Sequence, residues 1–372
     1  MSRPVFLTGG GTGGHVFPIR AIAEALVDKG VARDEIVVIG SQRGQEAELL
    51  ADLGCELVLL PGRGLRRDLR PGALVQNAAS VAGLSEAVLR GVALVARRRP
   101  RAVVSVGGYA AFAAAAGAVA TGRPLVLVDL DATPGLVHRA MSRFAVAITA
   151  GLPVEGSSRA VVTGVPVRDE IRTVSRSASA RSAARARLGL PEDVPVVAVV
   201  TGSLGAASVN RAVVELAARW RGRRTATLYH VTGRRDVDEV RVAHAAAGSD
   251  ATWRVVEFES DMASLWAACD LAVTRAGATT VAELCVAGVP SVLVPLPGAP
   301  GAHQDANAAV LARAGAAVVV DDAEVSAARL DEVLTLLLGD ESRLLAMGAA
   351  AKALGRPDAA SRVASVVLDR AR

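Results

Sequence analysis

The sequence predicts an α/β chain of two doubly wound domains, each a parallel sheet with helices on both faces, the two sheets facing across a cleft. Three observations predict it. Short, continuously apolar runs alternate with amphipathic segments along almost all of the 372 residues, the pattern left by strands that crossover helices bury on both sides. The alternation breaks once, near the middle, at a polar stretch, and then restarts. Both halves open alike, with an apolar strand, a glycine turn and a helix: Val5 to Thr8 before Gly9-Gly10-Gly11-Thr12-Gly13-Gly14-His15, and Val196 to Val200 before Gly202-Ser203-Leu204-Gly205.

In the first half the strands are Val5 to Thr8, Ile36 to Ile39, Leu57 to Leu60, Ala102 to Val106 and Leu125 to Val128. The Ser/Arg/Ala-rich stretch from Arg168 to Arg187, followed by Gly189-Leu190-Pro191-Glu192-Asp193, reads as a domain junction holding a short helix. Beyond it come Val196 to Val200, Ala226 to Val231, Leu271 to Thr274, Ser291 to Val294 and Ala317 to Val320. The expected division is 1–165, 166–340 and a helical segment, 341–372, packing back on the first domain. Ligands of such sheets sit beyond the carboxyl ends of the strands, where both glycine turns lie.

Composition agrees with a globular chain: 51% of residues are hydrophobic and 21% charged, enough apolar surface for two ordinary cores. The net charge of +5 is carried by arginine, with Lys29 and Lys352 as the lysines, and heavy Arg and Ala usage makes overall basicity a weak argument for anionic partners. Cys55, Cys269 and Cys285 are widely spaced in apolar segments and read as small buried hydrophobes of a reducing compartment. Ala102 to Gly122 carries no charge, but Gly107-Gly108 divides it into a strand and a small-residue helix instead of a membrane span. With the first strand running straight into the glycine loop and no signal-like segment before it, a cytoplasmic chain is expected.

The loop from Gly9 to His15 admits several readings. Glycines let backbone N–H groups approach a ligand, and the helix N-terminus behind them favours negative charge. Gly9, Gly11 and Gly14 satisfy the dinucleotide fingerprint, yet the second strand ends in Gly40-Ser41-Gln42 where that reading wants an acid. A Walker loop is excluded, because His15 stands where Lys-Ser/Thr is required. A tight turn with a satisfied histidine is the bland alternative.

In chain order, Gly9 to Pro18 (GGGTGGHVFP), Gly107-Gly108-Tyr109, Pro134-Gly135-Leu136, Gly164-Val165-Pro166-Val167-Arg168, Gly202 to Ala206 with Asn210, and Arg275-Ala276-Gly277-Ala278-Thr279-Thr280-Val281-Ala282-Glu283 resemble the motifs of the MurG family over nearly the whole chain. The resemblance implies the GT-B fold, two Rossmann-like domains opposed across a cleft. It also implies inverting transfer of N-acetylglucosamine from UDP-GlcNAc to the C4 hydroxyl of the muramyl sugar of lipid I, forming lipid II in peptidoglycan synthesis. The implied location is peripheral, on the cytoplasmic side of the bacterial membrane. Other cell-wall or division proteins are expected partners, and nucleic acid is not.

Carried over residue by residue, the resemblance implies that His15 takes the proton of the acceptor hydroxyl, a role that its ordinary pKa of about 6.5 suits, or that it positions the acceptor. Thr12, Gly13, Gly14 and Asp131 are implied on both the acceptor and donor sides, with Tyr109 and Asp129 at the acceptor. Ser203 and the helix beginning near Ala206 would hold the diphosphate, with Asn210, Ala278 and Thr279 nearby and Arg168 and Arg275 as guanidinium partners. Glu283 would accept from both ribose hydroxyls, or is an ordinary solvent-facing glutamate. Gln304 and Asn307, with His303 beside them, would read the sugar hydroxyls. Phe258 would flank the uracil, or belongs to the core. No metal or other cofactor is expected; Asp321-Asp322 reads as a turn or cap, and helix N-termini and arginines can neutralise the leaving diphosphate.

Several positions depart from the family pattern. Val128-Asp129-Leu130-Asp131 stands where His-Glu-Gln-Asn is usual, Leu204 replaces a glutamine and Val165 an asparagine. These changes bear on the acceptor more than on the donor, and they leave open a related transferase with another lipid or small-molecule acceptor, or a noncatalytic scaffold that keeps the nucleotide cleft. A membrane patch is expected where Arg63, Arg66, Arg67 and Arg70 surround Leu65 and Leu69, with Leu74, Val75 and Leu84 following and Arg97 to Arg99 and Arg101 further on; its plain alternative is a solvated arginine face.

Overall fold

A computed structural model describes residues 3–10, 13–42, 44–61, 71–153, 159–223, 225–246 and 252–371, with backbone alone at 71–82, 84 and 300. The chain divides into two compact units, Met1–Arg168 with Pro357–Arg372, and Asp169–Arg356.

The first unit carries strands β1 (Val5–Gly9), β2 (Ile36–Ser41), β3 (Glu56–Leu60), β4 (Ala102–Gly107), β5 (Leu125–Asp129), β6 (Ala147–Ala150) and β7 (Ala160–Val162). They form one parallel sheet in the order β3-β2-β1-β4-β5-β6-β7. β1, β2 and β5 are buried along their whole length, which is why they are written in Val, Ile and Leu without polar alternation. Strand order reverses between β1 and β4, so the crevice beyond their carboxyl ends is the topological switch point. Helix Pro71–Arg98 packs so closely on Ala111–Ala120 that a Cβ on Gly91 would meet the carbonyl oxygen of Ala113 at 2.6 Å.

The second unit carries β8 (Val196–Val200), β9 (Thr227–Val231), β10 (Trp253–Val256), β11 (Leu271–Thr274), β12 (Ser291–Leu293) and β13 (Ala317–Val319), in the parallel order β10-β9-β8-β11-β12-β13. Its switch point lies between β8 and β11. Val197, Val199, Val213, Leu216, Trp220, Leu228, Leu330 and Leu334 belong to one core on this sheet.

The units divide at Arg168/Asp169, where the Ser/Arg/Ala stretch begins, and the short helix in that stretch belongs to the second unit. Helix Ala178–Leu188 has Ser177 as its N-cap, accepting from Ala180 N at 3.3 Å, and ends at Gly189 in the left-handed region. Buried Arg185 and half-buried Arg181 anchor it to Asp270, at 2.6 and 2.5 Å. Of the 341–372 segment, helix Glu341–Leu354 packs on Ala278–Ala287 in the second unit, while Ala359–Arg370 packs on Gly13–Asp28 in the first.

Candidate active site

At the first switch point the glycine loop and the Gly107-Gly108 turn meet backbone to backbone. A Cβ on Gly108, whose φ is +80°, would stand 2.6 Å from the carbonyl oxygen of Gly10, so this position has no room for a side chain. Helix Gly13–Asp28 starts here, and its Gly13 N–H donates to Gln45 Oε1 at 3.0 Å. His15, in the first turn, is half-buried, with Nε2 3.7 Å from where a Cβ on Gly107 would lie. Gly13 is buried and Gly14 exposed, whereas Thr12 lies outside the described residues. The Tyr109 hydroxyl donates to Ser41 Oγ at 2.7 Å. Asp129, at the end of β5, is buried and bonded to His138; Asp131, two residues on, is half-buried.

An acid does reach the end of β2, contrary to the sequence reading. It arrives from Glu46, five residues past the strand: fully buried, it accepts from Ser41 N at 3.1 Å and occupies the space in which Cβ atoms on Gly10 and Gly40 would fall. A carboxylate packed there fills the approach to the loop that a dinucleotide's ribose needs. The first glycines of the loop thus make room for the protein's own side chain.

At the second switch point two helices present bare N-termini. Ala207–Trp220 begins after Ala206 and Ala278–Ala287 after Gly277, and neither cap position donates or accepts through a side chain. Helix starts without a side-chain cap, with the aligned peptide dipoles behind them, suit a diphosphate. Ser203 is half-buried in the turn before the first of these helices, and Leu204 beside it is exposed. The turn is clamped from below: Arg234 N donates to the Ser203 carbonyl at 3.1 Å and Gly205 N to that of Gly202 at 3.1 Å.

Asn210 sits one layer deeper than a ligand contact. It is buried, its Nδ2 donates to Thr232 O at 3.0 Å and Asp236 Oδ2 at 2.6 Å, and its Oδ1 pairs with His230 Nε2 at 2.8 Å. Burial lowers the His230 pKa to about 3, so the ring stays neutral and donates from Nε2.

Arg275 is equally committed. Its Nη1 reaches Asp322 at 2.6 Å and the carbonyls of Val294 and Pro295 at 3.1 Å each, and its Nη2 reaches Ser208 Oγ at 3.1 Å. The arginine therefore braces the carboxyl ends of the strands with its charge balanced by Asp322. Asp322, read from sequence as a turn or cap, is its ion-pair partner, and Ser208 also donates to it at 2.6 Å.

Glu283 is 5% exposed and accepts from the indole of fully buried Trp266 at 3.0 Å, which disposes of the solvent-facing alternative. Phe258 is 51% exposed, which disposes of the core alternative. Ala278 is buried and Thr279 half-buried in the first turn after Gly277. Gln304 Oε1 accepts from Ala276 N at 3.2 Å and Leu296 N at 3.0 Å, and Asn307 donates to Ala276 O at 2.9 Å. Both amides thus shape the turn that carries the helix start.

Ser203, Ala278 and Thr279 accordingly gather on the turns of the second switch point, while the side chains of Asn210, Arg275, Gln304 and Asn307 bond those turns and their neighbours from within the protein. Arg168 falls in the first unit, its guanidinium 4.6 Å from the ring centroid of Phe17. Gln45, Glu46, Ser105, His138 and Ser208 were passed over in the sequence, because their roles come from tertiary neighbours and not from spacing. Asp129-Leu130-Asp131 and Asp236-Val237-Asp238 do have Asp-x-Asp spacing, but Asp129 is bonded to His138 and Asp236 to Asn210. Among the described residues no three ligating side chains cluster as a metal site. Cys269 and Cys285 are buried, and burial pushes their thiols up to about 11 and about 12; Cys55 is half-buried. Arg63, Leu65, Arg66, Arg67, Leu69 and Arg70 lie outside the described residues, as do the side chains of Leu74, Val75 and Leu84. Of the arginines further on, Arg98 pairs with Glu56 at 2.6 Å and Arg101 with Glu35 at 3.6 Å.

Two Rossmann-like units, each a parallel sheet with a switch point, make up the GT-B architecture, and the family comparisons place the chain among its glycosyltransferases. The glycosyltransferase family 28 N-terminal domain matches residues 5–150 and the family's C-terminal domain residues 196–363. The chain is 40% identical over its whole length, and that of the relative, to the UDP-N-acetylglucosamine--N-acetylmuramyl-(pentapeptide) pyrophosphoryl-undecaprenol N-acetylglucosamine transferase of Alkalilimnicola ehrlichii. It is 42% identical to the enzyme of that name from Nitratidesulfovibrio vulgaris, over 97% of this chain and 95% of the relative. The crystal structure of Acinetobacter baumannii MurG superposes with a TM-score of 0.77 at 27% identity, covering 99% of this chain and 100% of that one. The chain belongs to glycosyltransferase family 28, and within it to the MurG family.

Proposed function

We propose that the chain transfers N-acetylglucosamine from UDP-GlcNAc to the C4 hydroxyl of the muramyl sugar of undecaprenyl-pyrophosphoryl-MurNAc-pentapeptide in one inverting displacement. The observation that carries the reading is the second switch point: two helices start there without side-chain caps, an arrangement suited to a diphosphate, and buried Glu283 follows on the second of them. The N–H groups stabilise charge as the anomeric bond breaks, and Glu283 takes the ribose hydroxyls. On the first unit His15 removes the acceptor proton beside the Gly107 turn. The reaction proceeds without a metal, and transfer should survive EDTA. Incubation with labelled UDP-GlcNAc and a panel of acceptors tests the reading; label on the muramyl lipid alone is expected. Label on another acceptor would favour the second reading, which rests on Asp131 and on exposed Leu204 beside Ser203.

The enzyme works at the cytoplasmic face of the membrane as a peripheral protein. No helix among the described residues is long and apolar enough to span a bilayer, and the sequence places Arg63, Arg66, Arg67 and Arg70 around Leu65 and Leu69 just before the long helix Pro71–Arg98, on which Leu89 is exposed. Each basic residue near an anionic surface contributes about 1 kcal/mol. Changing the four arginines to glutamate should abolish sedimentation with phosphatidylglycerol vesicles while UDP-GlcNAc binding persists. Unchanged sedimentation would remove the patch from the account.

A further inference from the structure

The first unit holds a buried polar chain that the proposed reaction does not yet use. His138, in the short helix after the Gly135 turn, has Nε2 2.8 Å from Ser105 Oγ of β4, and its Nδ1 bonds Oδ1 of Asp129 at the end of β5. All three residues are buried. A carboxylate only accepts, so Nδ1 carries the hydrogen; in the neutral ring Nε2 is then the acceptor and the Ser105 hydroxyl donates to it. The order of bonds matches a hydrolase triad, but Ser105 is fully buried within a central strand and cannot meet a substrate carbonyl. The chain therefore runs in the other direction: the sheet fixes Ser105, Ser105 fixes the ring, and the ring fixes the carboxylate.

What the carboxylate offers is its second oxygen. His138 takes Oδ1, and among the described residues no donor takes Oδ2 of Asp129. The ring also borders the site already described, because the Cβ that Gly107 lacks would lie 3.7 Å from His138 Cε1 and 3.7 Å from His15 Nε2. Both imidazoles and the aspartate thus surround the carboxyl ends of β4 and β5, where a sugar hydroxyl needs one group to take its proton and another to orient it.

We propose that His138 is a positioning residue for the acceptor: its Nδ1–H holds Asp129 so that Oδ2 accepts from a hydroxyl of the acceptor sugar beside His15, and Ser105 holds His138. The proposal rests on the first unit being the acceptor half.

Steady-state kinetics with UDP-GlcNAc and a soluble muramyl lipid analogue test it on His138→Ala, His138→Asn and Ser105→Ala. Loss of the bond to Asp129 in His138→Ala should lower kcat/KM for the acceptor ~10–100-fold and leave KM for UDP-GlcNAc within about twofold. Asparagine places an N–H where Nδ1 was, so His138→Asn should return to within about fivefold of wild type. A folded His138→Ala with unchanged acceptor kinetics, or an asparagine variant as poor as alanine, overturns the proposal. Should His138→Ala not fold, Ser105→Ala decides: a loss of ~3–10-fold confined to the acceptor supports it, and no change overturns it. Wild-type protein that never glycosylates the analogue would overturn the acceptor reading itself, an outcome separate from an active wild type with indifferent variants.

Discussion

Replacing Glu283 separates its two duties, one to the fold and one to the donor. The carboxylate accepts from the indole of Trp266, which is fully buried. Glu283→Ala leaves that N–H without an acceptor away from water, at a cost of about 1–3 kcal/mol. In the proposed donor role it also removes two hydrogen bonds from ribose hydroxyls to a charged acceptor, each contributing ~1.5–3 kcal/mol, so binding should weaken by at least ~3 kcal/mol, roughly 150-fold in Kd. Glu283→Gln retains one carbonyl oxygen for the indole and turns an amide donor toward the ribose. Its stability should stay within ~1 kcal/mol of wild type while Kd rises ~10–100-fold. Isothermal titration calorimetry with UDP-GlcNAc, read beside urea unfolding, resolves the two effects. A folded alanine variant that binds within threefold of wild type would reduce Glu283 to a partner for Trp266 and refute its donor role.

Three further outcomes are expected. His15→Ala should bind UDP-GlcNAc normally and lose ~10²–10⁴ in turnover; unchanged turnover removes His15 from the chemistry. His230, neutral in the fold down to about pH 3, takes a proton near 6.5 once unfolded, so the unfolded chain binds the extra proton between those values. Stability should therefore fall as pH drops through that window, by up to ~1.4 kcal/mol per unit from this residue, and urea midpoints of His230→Gln should depend less steeply on pH; equal slopes would contradict the assignment. Asp270→Ala strips Arg185 of its buried partner and should cost about 3–5 kcal/mol, a loss of under 1 kcal/mol showing that the pair does not hold helix Ala178–Leu188.

Much of the architecture is legible because parallel strands buried on both faces are written without polar interruption, as in Val196–Val200. The strands missed lack that signature. Ala147–Ala150 is made of small and polar residues around one isoleucine, Ala160–Val162 is a three-residue edge strand that stays largely exposed, and Arg254 interrupts Trp253–Val256. The short helix expected in the Ser/Arg/Ala stretch is Ala178–Leu188, with Ser177 and Gly189 marking its ends.

The site divides the same way. The turns at the two switch points were visible, since glycine at Gly108 and the helix starts after Ala206 and Gly277 follow from local chain geometry. Supports were not: nothing in the spacing of Glu46, His138 or Asp322 reveals which backbone N–H, carboxylate or guanidinium each will meet. Asn210, Arg275, Gln304 and Asn307 were read as ligand contacts, and spacing did not reveal the bonds that their side chains make within the protein.

The most direct measurement is proton NMR of the disaccharide made from UDP-GlcNAc and a muramyl lipid analogue. A single displacement from the α-linked donor predicts a new β linkage at the muramyl C4 oxygen, with UDP released in equal amount. Retention of the α configuration, or sugar lost from UDP without a glycosylated product, would contradict it.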